Sequence, residues 1–312
     1  MSGTIADKLI AIANNEQLIY KKGYDEGYDE GKNVPEDLDD VLTAQETKIA
    51  TLSAILDRKA SVGGNNNLTE FFEGKTTDLY WDDITEIPSA LSEGLAEFIN
   101  NSDITSARLS SLKKIPDNMF LSRGSLTSVE ISKATEIGSY AFRGCTSLTS
   151  VSMPEVTNLA TAAFAQCTNL TSVNIPKATE IGNNAFAQCT NLASVDMPNA
   201  TSIGSGAFNS NGITSVNMPK VTTIGVNAFK NCTKLAITHI PASVLTIGKN
   251  AFNGCLGLTS ITFDGTPSSI DTTAFSGCTN LKTINCPWEK DAVADAPWGA
   301  TNATINYNYT GG

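Results

Sequence analysis

Residues 141–206 read AFRGCTSLTSVSMPEVTNLATA, AFAQCTNLTSVNIPKATEIGNN and AFAQCTNLASVDMPNATSIGSG, one phrase of 22 residues written three times. Phe120, Phe142, Phe164, Phe186, Phe208, Phe229, Phe252 and Phe275 carry the period outward, at spacings of 22, 22, 22, 22, 21, 23 and 23, and Phe98 stands a further 22 residues upstream. A fixed period of this length marks stacked repeats. Within a unit, Leu170, Val173 and Ile175 end in strict alternation, which predicts a short strand with Val and Ile facing a core. Pro176 ends that strand. Ile181, Gly182, Ala185 and Phe186 then read as the return turn, with Gly182 supplying a backbone shape that other residues resist. One unit cannot fold alone. Burying its Phe, Leu, Val and Ile gains about 1.5 to 3 kcal/mol each, whereas ordering some 22 residues costs roughly 1 to 2 kcal/mol apiece. Eight or nine units stacked in parallel register at ~4.8 Å per strand give a solenoid about 40 Å long.

The full pattern, C-x-x-L-x-x-[VI]-x-[IL]-P-x-x-[VA]-x-x-I-G-x-x-A-F, recurs from about Leu126 to Cys286. It resembles the BspA-like (treponemal-type) class of bacterial leucine-rich repeats. That resemblance implies a curved, right-handed solenoid used for adhesion or protein binding, with no catalytic centre. Two departures predict local irregularity: the unit after Phe208 (NSNGITSV) lacks one residue and the Cys, and the unit around His239 gains a residue after Pro241. The expected fold class is therefore a leucine-rich repeat solenoid, mostly β, with a parallel strand ladder of about 8–9 repeats, preceded by an α-helical coiled-coil stalk.

Both ends of such a stack need capping. At the front, Pro88 and Ser89 open a predicted helix with the stripe Leu91, Leu95, Phe98 and Ile99, preceded by apolar Leu79, Tyr80 and Trp81. At the back, Pro287-Trp288 and Pro297-Trp298 lead into ATINYNY, where Ile305, Tyr307 and Tyr309 alternate with Thr304, Asn306 and Asn308 as a last edge strand. These aromatics read as caps; a ligand platform is the alternative.

Residues 1–60 are a different physical object. Thr4 with Asp7 makes a capping-box-like start, and Ile5, Leu9, Ile12, Glu16 and Ile19 predict a helix over about 5–22. Pro35, Glu36 and Asp37 at one end and Arg58 and Lys59 at the other frame a second helix, whose seam is Leu38, Leu42, Gln45, Ile49, Leu52 and Leu56. That seam buries itself best against copies of itself, with Gln45 able to fix register, and a trimer is favoured. The alternative is a helix hairpin packed on the solenoid. GYDEGYDEGK between the helices lacks the order of an EF-hand loop and reads as a solvated linker. The expected organisation is 1–60 stalk, 61–75 linker, 76–103 N-terminal cap, 104–286 repeats and 287–312 C-terminal cap. A helical N-terminus, Gly-Tyr-Asp-Glu spacers and the terminal PWGATNATINYNY also resemble leucine-rich repeat proteins encoded among bacteriophage and prophage tail genes.

Composition removes several classes of function. The chain of 312 residues holds 21 Lys+Arg against 32 Asp+Glu, net -11, so polyphosphate is repelled overall and nucleic acid is not an expected partner. The acid is N-terminal: by count, residues 1–60 carry net -5, residues 61–103 net -8 and residues 104–312 net +2. A single histidine, His239, leaves no material for a His-rich metal site or for a triad unless His239 itself serves. The N-terminus has neither the basic start nor the apolar run of a Sec signal, and no run of 18 apolar residues predicts membrane insertion. The expectation is synthesis in a bacterial cytoplasm and association with a virion tail, with a cell surface reached by another route as the alternative.

Six cysteines, Cys145, Cys167, Cys189, Cys232, Cys255 and Cys278, occupy one slot three residues after Phe, and Cys286 takes the strand Ile slot. A straight ladder cannot converge on zinc, so these read as small buried apolar thiols. No metal site and no cofactor is expected. On the solvent side the strands present Arg108, Glu130, Ser152, Asn174, Asp196, Asn217, His239, Thr262 and Asn285, flanked by serines: a concave, hydroxyl- and amide-rich face without aromatics, suited to a protein or a polar cell-surface polymer. Glu130 and Asp196 fall three rungs apart, ~14 Å, too far for paired glycosidase carboxylates at roughly 5 to 9.5 Å. No P-loop, dinucleotide or nucleophile-elbow motif is present. The sequence thus predicts a non-enzymatic recognition or adhesion protein: a phage tail receptor-binding or fibre component, or else a bacterial surface adhesin or interaction protein, with an enzyme a distant third.

Overall fold

The computed structural model describes residues 76, 78–81, 85–87, 99 and 103–311. The predicted stalk and its seam (Leu38, Leu42, Gln45, Ile49, Leu52, Leu56), the linker at 61–75 and, apart from buried Ile99, the predicted front helix lie outside these residues.

Each turn of the chain contributes a strand to one or both of two parallel ladders. The first ladder, numbered in chain order, comprises β1 (Asp78–Tyr80), β2 (Ser106–Arg108), β4 (Ser128–Glu130), β6 (Ser150–Ser152), β8 (Ser172–Asn174), β10 (Ser194–Asp196), β12 (Ser215–Asn217), β14 (His239–Ile240), β16 (Ser260–Phe263), β18 (Thr283–Asn285) and β19 (Thr304–Asn306). The second comprises β3 (Lys114–Ile115), β5 (Glu136–Ile137), β7 (Asn158–Leu159), β9 (Glu180–Ile181), β11 (Ser202–Ile203), β13 (Thr223–Ile224), β15 (Thr246–Ile247) and β17 (Ser269–Ile270). The second ladder is one unbroken sheet of 8 strands from β3 to β17. The first is interrupted between β4 and β6, β8 and β10, and β12 and β14. The last of these gaps coincides with the shortened unit after Phe208 and the two-residue strand β14.

Three features differ from the sequence reading. The return turn is itself a strand: Ile137, Ile181, Ile203 and Ile224 point inward from paired two-residue strands rather than from irregular turns. Leu79, Tyr80 and Trp81 do not merely precede a helix; β1 pairs in parallel with β2 and extends the ladder by one rung, burying Leu79. The last strand is short, because beyond Asn306 the backbone turns back, Asn308 N–H donating to Trp288 O at 2.9 Å and Tyr309 N–H to Cys286 O at 2.9 Å.

The core runs the length of the stack as columns, one residue per rung, and the phenylalanine column is uniform from Phe120 to Phe275. The eight phenylalanines from Phe120 to Phe275 stack face to face, with ring centroids 4.9 to 5.6 Å apart and interplanar angles of 3 to 9°. At the far end Phe263, Trp288 and Trp298 meet edge to face, and the Trp298 Nε1–H donates to Ala294 O at 2.7 Å.

The glycine after each second-ladder isoleucine has a role other than the one expected. Gly182, Gly204 and Gly225 lie outside the left-handed region. A Cβ there would instead collide with the preceding rung: at Gly225 it would lie 2.8 Å from Ile203 O and 2.8 Å from Gly204 C. The left-handed turn falls two residues later, on Asn184 (φ 55), Gly206 (φ 64) and Asn227 (φ 56), where Asn and Gly carry the smallest penalty.

Polar backbone between rungs is matched by side-chain ladders. Thr135, Thr157, Thr179, Thr201 and Thr222 each donate Oγ1–H to the carbonyl one rung back, at 3.1 to 3.3 Å. The cysteines do the same inside: Cys145, Cys167, Cys189, Cys232, Cys255 and Cys278 donate Sγ–H to the phenylalanine carbonyl of the previous turn at 2.9 to 3.1 Å. These thiols are thus hydrogen-bond donors and not only apolar filling. Where the sequence lacks a Cys, Asn211 fills the slot and donates Nδ2–H to Phe186 O at 2.7 Å.

Candidate binding surface

Strand register decides which exposed side chains stand together. Pairing of β1, β2 and β4 aligns Tyr80, Arg108 and Glu130; β6 with β8 aligns Ser152 and Asn174; β10 with β12 aligns Asp196 and Asn217; β14, β16, β18 and β19 align His239, Thr262, Asn285 and Asn306. The sequence-predicted residues therefore occupy one row, one per rung. Glu130, Ser152, Asn174, Asp196, Asn217 and His239 are exposed, Arg108 and Thr262 half-buried, and Asn285 is buried under the next rung.

Parts of the row are pre-ordered by hydrogen bonds along the stack. Asn217 Nδ2–H donates to Asp196 Oδ1 at 2.7 Å, Asn285 Nδ2–H to Thr262 Oγ1 at 3.1 Å, and Asn306 Nδ2–H to Asn285 Oδ1 at 2.8 Å. His239 Nδ1 lies 2.7 Å from Asp264 Oδ1, with both side chains largely in solvent. At the N-terminal end the Arg108 guanidinium sits 4.7 Å over the Tyr80 ring. The face is therefore not free of aromatics; the sequence reading missed Tyr80 because it had not assigned β1 to the ladder.

Chemically this surface offers hydrogen-bond donors and acceptors at one-rung intervals and a few separated charges. Glu130 and Asp196 stand in β4 and β10, with β6 and β8 between them, so no carboxylate pair forms. Among the described residues no cluster of three or more His, Cys, Asp or Glu could hold a metal ion. The cysteines are poor nucleophiles: burial pushes the Cys145, Cys189, Cys232 and Cys286 thiols from 9.0 up to about 12, Cys278 up to about 11, and Cys167 and Cys255 well upward. Among the described residues no helix is long and apolar enough to cross a membrane.

Two parallel ladders, an inward column of Leu, Val, Ile and Phe, and a polar outward row define a leucine-rich repeat solenoid, a scaffold suited to protein binding or adhesion. The model of the BspA type leucine rich repeat region (6 copies) matches residues 113–236 and 201–295, and the chain belongs to this family. Among solved structures, a leucine-rich repeat protein from Bacteroides ovatus is similar at 26% identity and a TM-score of 0.55, over 65% of this chain and 54% of that one, so the chain spans about half of that relative's length. The T. pallidum leucine-rich repeat protein matches at 25% identity over 57% of this chain and 78% of its own, with a TM-score of 0.42. A leucine rich cell surface protein from Faecalibacterium prausnitzii matches at 24% identity over 67% of this chain and 80% of its own, with a TM-score of 0.43. A search of curated proteins found no match.

Proposed function

We propose that the protein is a non-enzymatic recognition component in which the outward row of the first ladder binds a protein or polar polymer on a cell surface. The observation that carries this reading is the repeat position: Glu130, Ser152, Asn174, Asp196, Asn217 and His239 stand exposed on the first-ladder strands of successive rungs. A line of that kind addresses an extended partner better than a small substrate. In the fuller form of the proposal, residues 1–60 supply an oligomeric attachment stalk, the seam Leu38 to Leu56 joins the copies, and the assembly serves as a receptor-binding or fibre part of a phage tail. A bacterial surface adhesin is the second reading, since the family of the repeats is compatible with either setting.

The test is binding of the labelled full-length protein to a panel of whole bacterial cells. Glu130→Lys together with Asp196→Lys is expected to weaken binding, chiefly through a slower and less salt-sensitive association, since rim charges steer encounter more than they hold a complex. Lys230→Glu, outside the row, is expected to change nothing. Binding that survives the double reversal and is lost in Lys230→Glu would move the site off the first ladder.

A further inference from the structure

The corner that joins the first ladder to the second carries a second ordered surface, apart from the row of the proposed function. One slot there, three residues before the first residue of each second-ladder strand from β5 to β13, is held in successive rungs by Lys133, Glu155, Lys177, Asn199 and Lys220. The pairing of β5, β7, β9, β11 and β13 puts these residues in register. Lysine alternates with an acceptor. Lys177 Nζ donates to Glu155 Oε2 at 2.8 Å, and Lys220 Nζ to Asn199 Oδ1 at 2.7 Å, so each reaches back one rung. The three lysines are exposed, while Glu155 and Asn199 sit half-buried between them. The hydrogen bond and charge of Lys177, with smaller contributions from Lys133 and Lys113, hold the Glu155 carboxyl below its ordinary range. Of the nearby acids, Glu136 is matched by Lys114 at 3.5 Å, which leaves Glu180. The ridge is locally positive on a chain whose net charge is -11.

Spacing selects the ligand. Rungs advance by about the 4.9 to 5.6 Å that separates stacked phenylalanines, so the ridge lysines recur every second rung, at ~10 Å. Nucleic acid carries a charge on every nucleotide, every ~3.4 Å along each strand of a duplex, and the charges falling between lysines would meet Glu155. A polymer with sparser charge avoids that repulsion. We infer that the ridge Lys133–Lys177–Lys220 binds a linear acidic polysaccharide whose anionic groups fall on alternate sugars, lying along the stack with neutral sugars passing Glu155 and Asn199.

The experiment measures binding of the full-length protein to hyaluronate, with one carboxylate per disaccharide, beside neutral dextran and single-stranded DNA as controls. Hyaluronate is expected to bind, and more weakly at 200 than at 50 mM salt because the contacts are ionic and screened; dextran is expected not to bind, and DNA to bind more weakly than hyaluronate. Lys133→Gln with Lys177→Gln and Lys220→Gln should lose at least tenfold in affinity with the melting temperature kept. Glu155→Lys should raise affinity for DNA. The Glu130→Lys, Asp196→Lys variant should bind hyaluronate as the parent does, which separates this ridge from the first-ladder row. No hyaluronate binding, equal binding of dextran, a parent that prefers DNA, or a triple variant that binds undiminished overturns the inference.

Discussion

The most economical residue in the repeat is the cysteine, which fills core volume and gives a buried carbonyl a second donor: Phe142 O accepts from Cys145 N–H at 3.2 Å and from Cys167 Sγ–H at 3.1 Å. Asn211 shows that the donor is what the slot demands, since it keeps the hydrogen bond while changing the chemistry. The periodic sequence marked these cysteines as buried, but a thiol carries no signal that it donates, so the bond itself was not legible. Burial also couples the thiols to pH. Folded values lie at about 11 to 12 where the ordinary value is 9.0, so the folded chain keeps protons that the unfolded chain releases. Stability from this source is complete well below pH 9 and is lost as pH rises from there toward the folded values. We predict cooperative alkaline unfolding between pH 9 and 11, followed by circular dichroism, with thiolate absorbance rising in the same step. Thiolate that appears near pH 9 while the fold persists would contradict this.

At the level of strands, the first ladder could be read from the sequence because Val and Ile alternate with polar residues over several positions. The second could not, because a two-residue strand buries a single side chain and leaves no alternation to see. The same blindness misplaced the glycine: Ile-Gly looks like a turn, whereas the backbone shape belongs to Asn184 and its counterparts and the glycine makes room for the rung beneath. Gly225→Ala should therefore destabilise by close contact, with Ile203 O and Gly204 C each 2.8 Å from the added carbon. Overpacking of this kind costs about 1 to 3 kcal/mol, measurable in urea as a lowered midpoint at unchanged slope. An unchanged midpoint would show that the rungs move apart freely. Of the outward row, nine residues, Arg108 to Asn285, were legible from repeat spacing alone; Tyr80 was not, because its strand lies before the first recognisable repeat.

For the molecule as a whole, the stack explains why a chain of net -11 can present a solenoid of nearly balanced charge: the acid resides in residues 1–103. If those residues hold the copies together through the Leu38–Leu56 seam, the full-length protein is expected to be a homo-oligomer, a trimer in the favoured case, by light scattering. Leu42→Asp with Leu52→Asp should then return it to monomer with its β-sheet spectrum intact. A monomeric parent refutes the stalk. The two ladders finally differ in a mechanical sense. The second is a continuous strip of paired strands from β3 to β17, whereas strand pairing in the first is interrupted at three places, two of them spanned by a single backbone hydrogen bond, Ala193 N–H to Thr171 O and Ala236 N–H to Thr214 O. Under load the stack should thus bend most easily by widening those three seams, letting the outward row lengthen or shorten its pitch while the opposite strip acts as an inextensible backing. A receptor with a slightly different repeat could then be matched by flexure rather than by substitution.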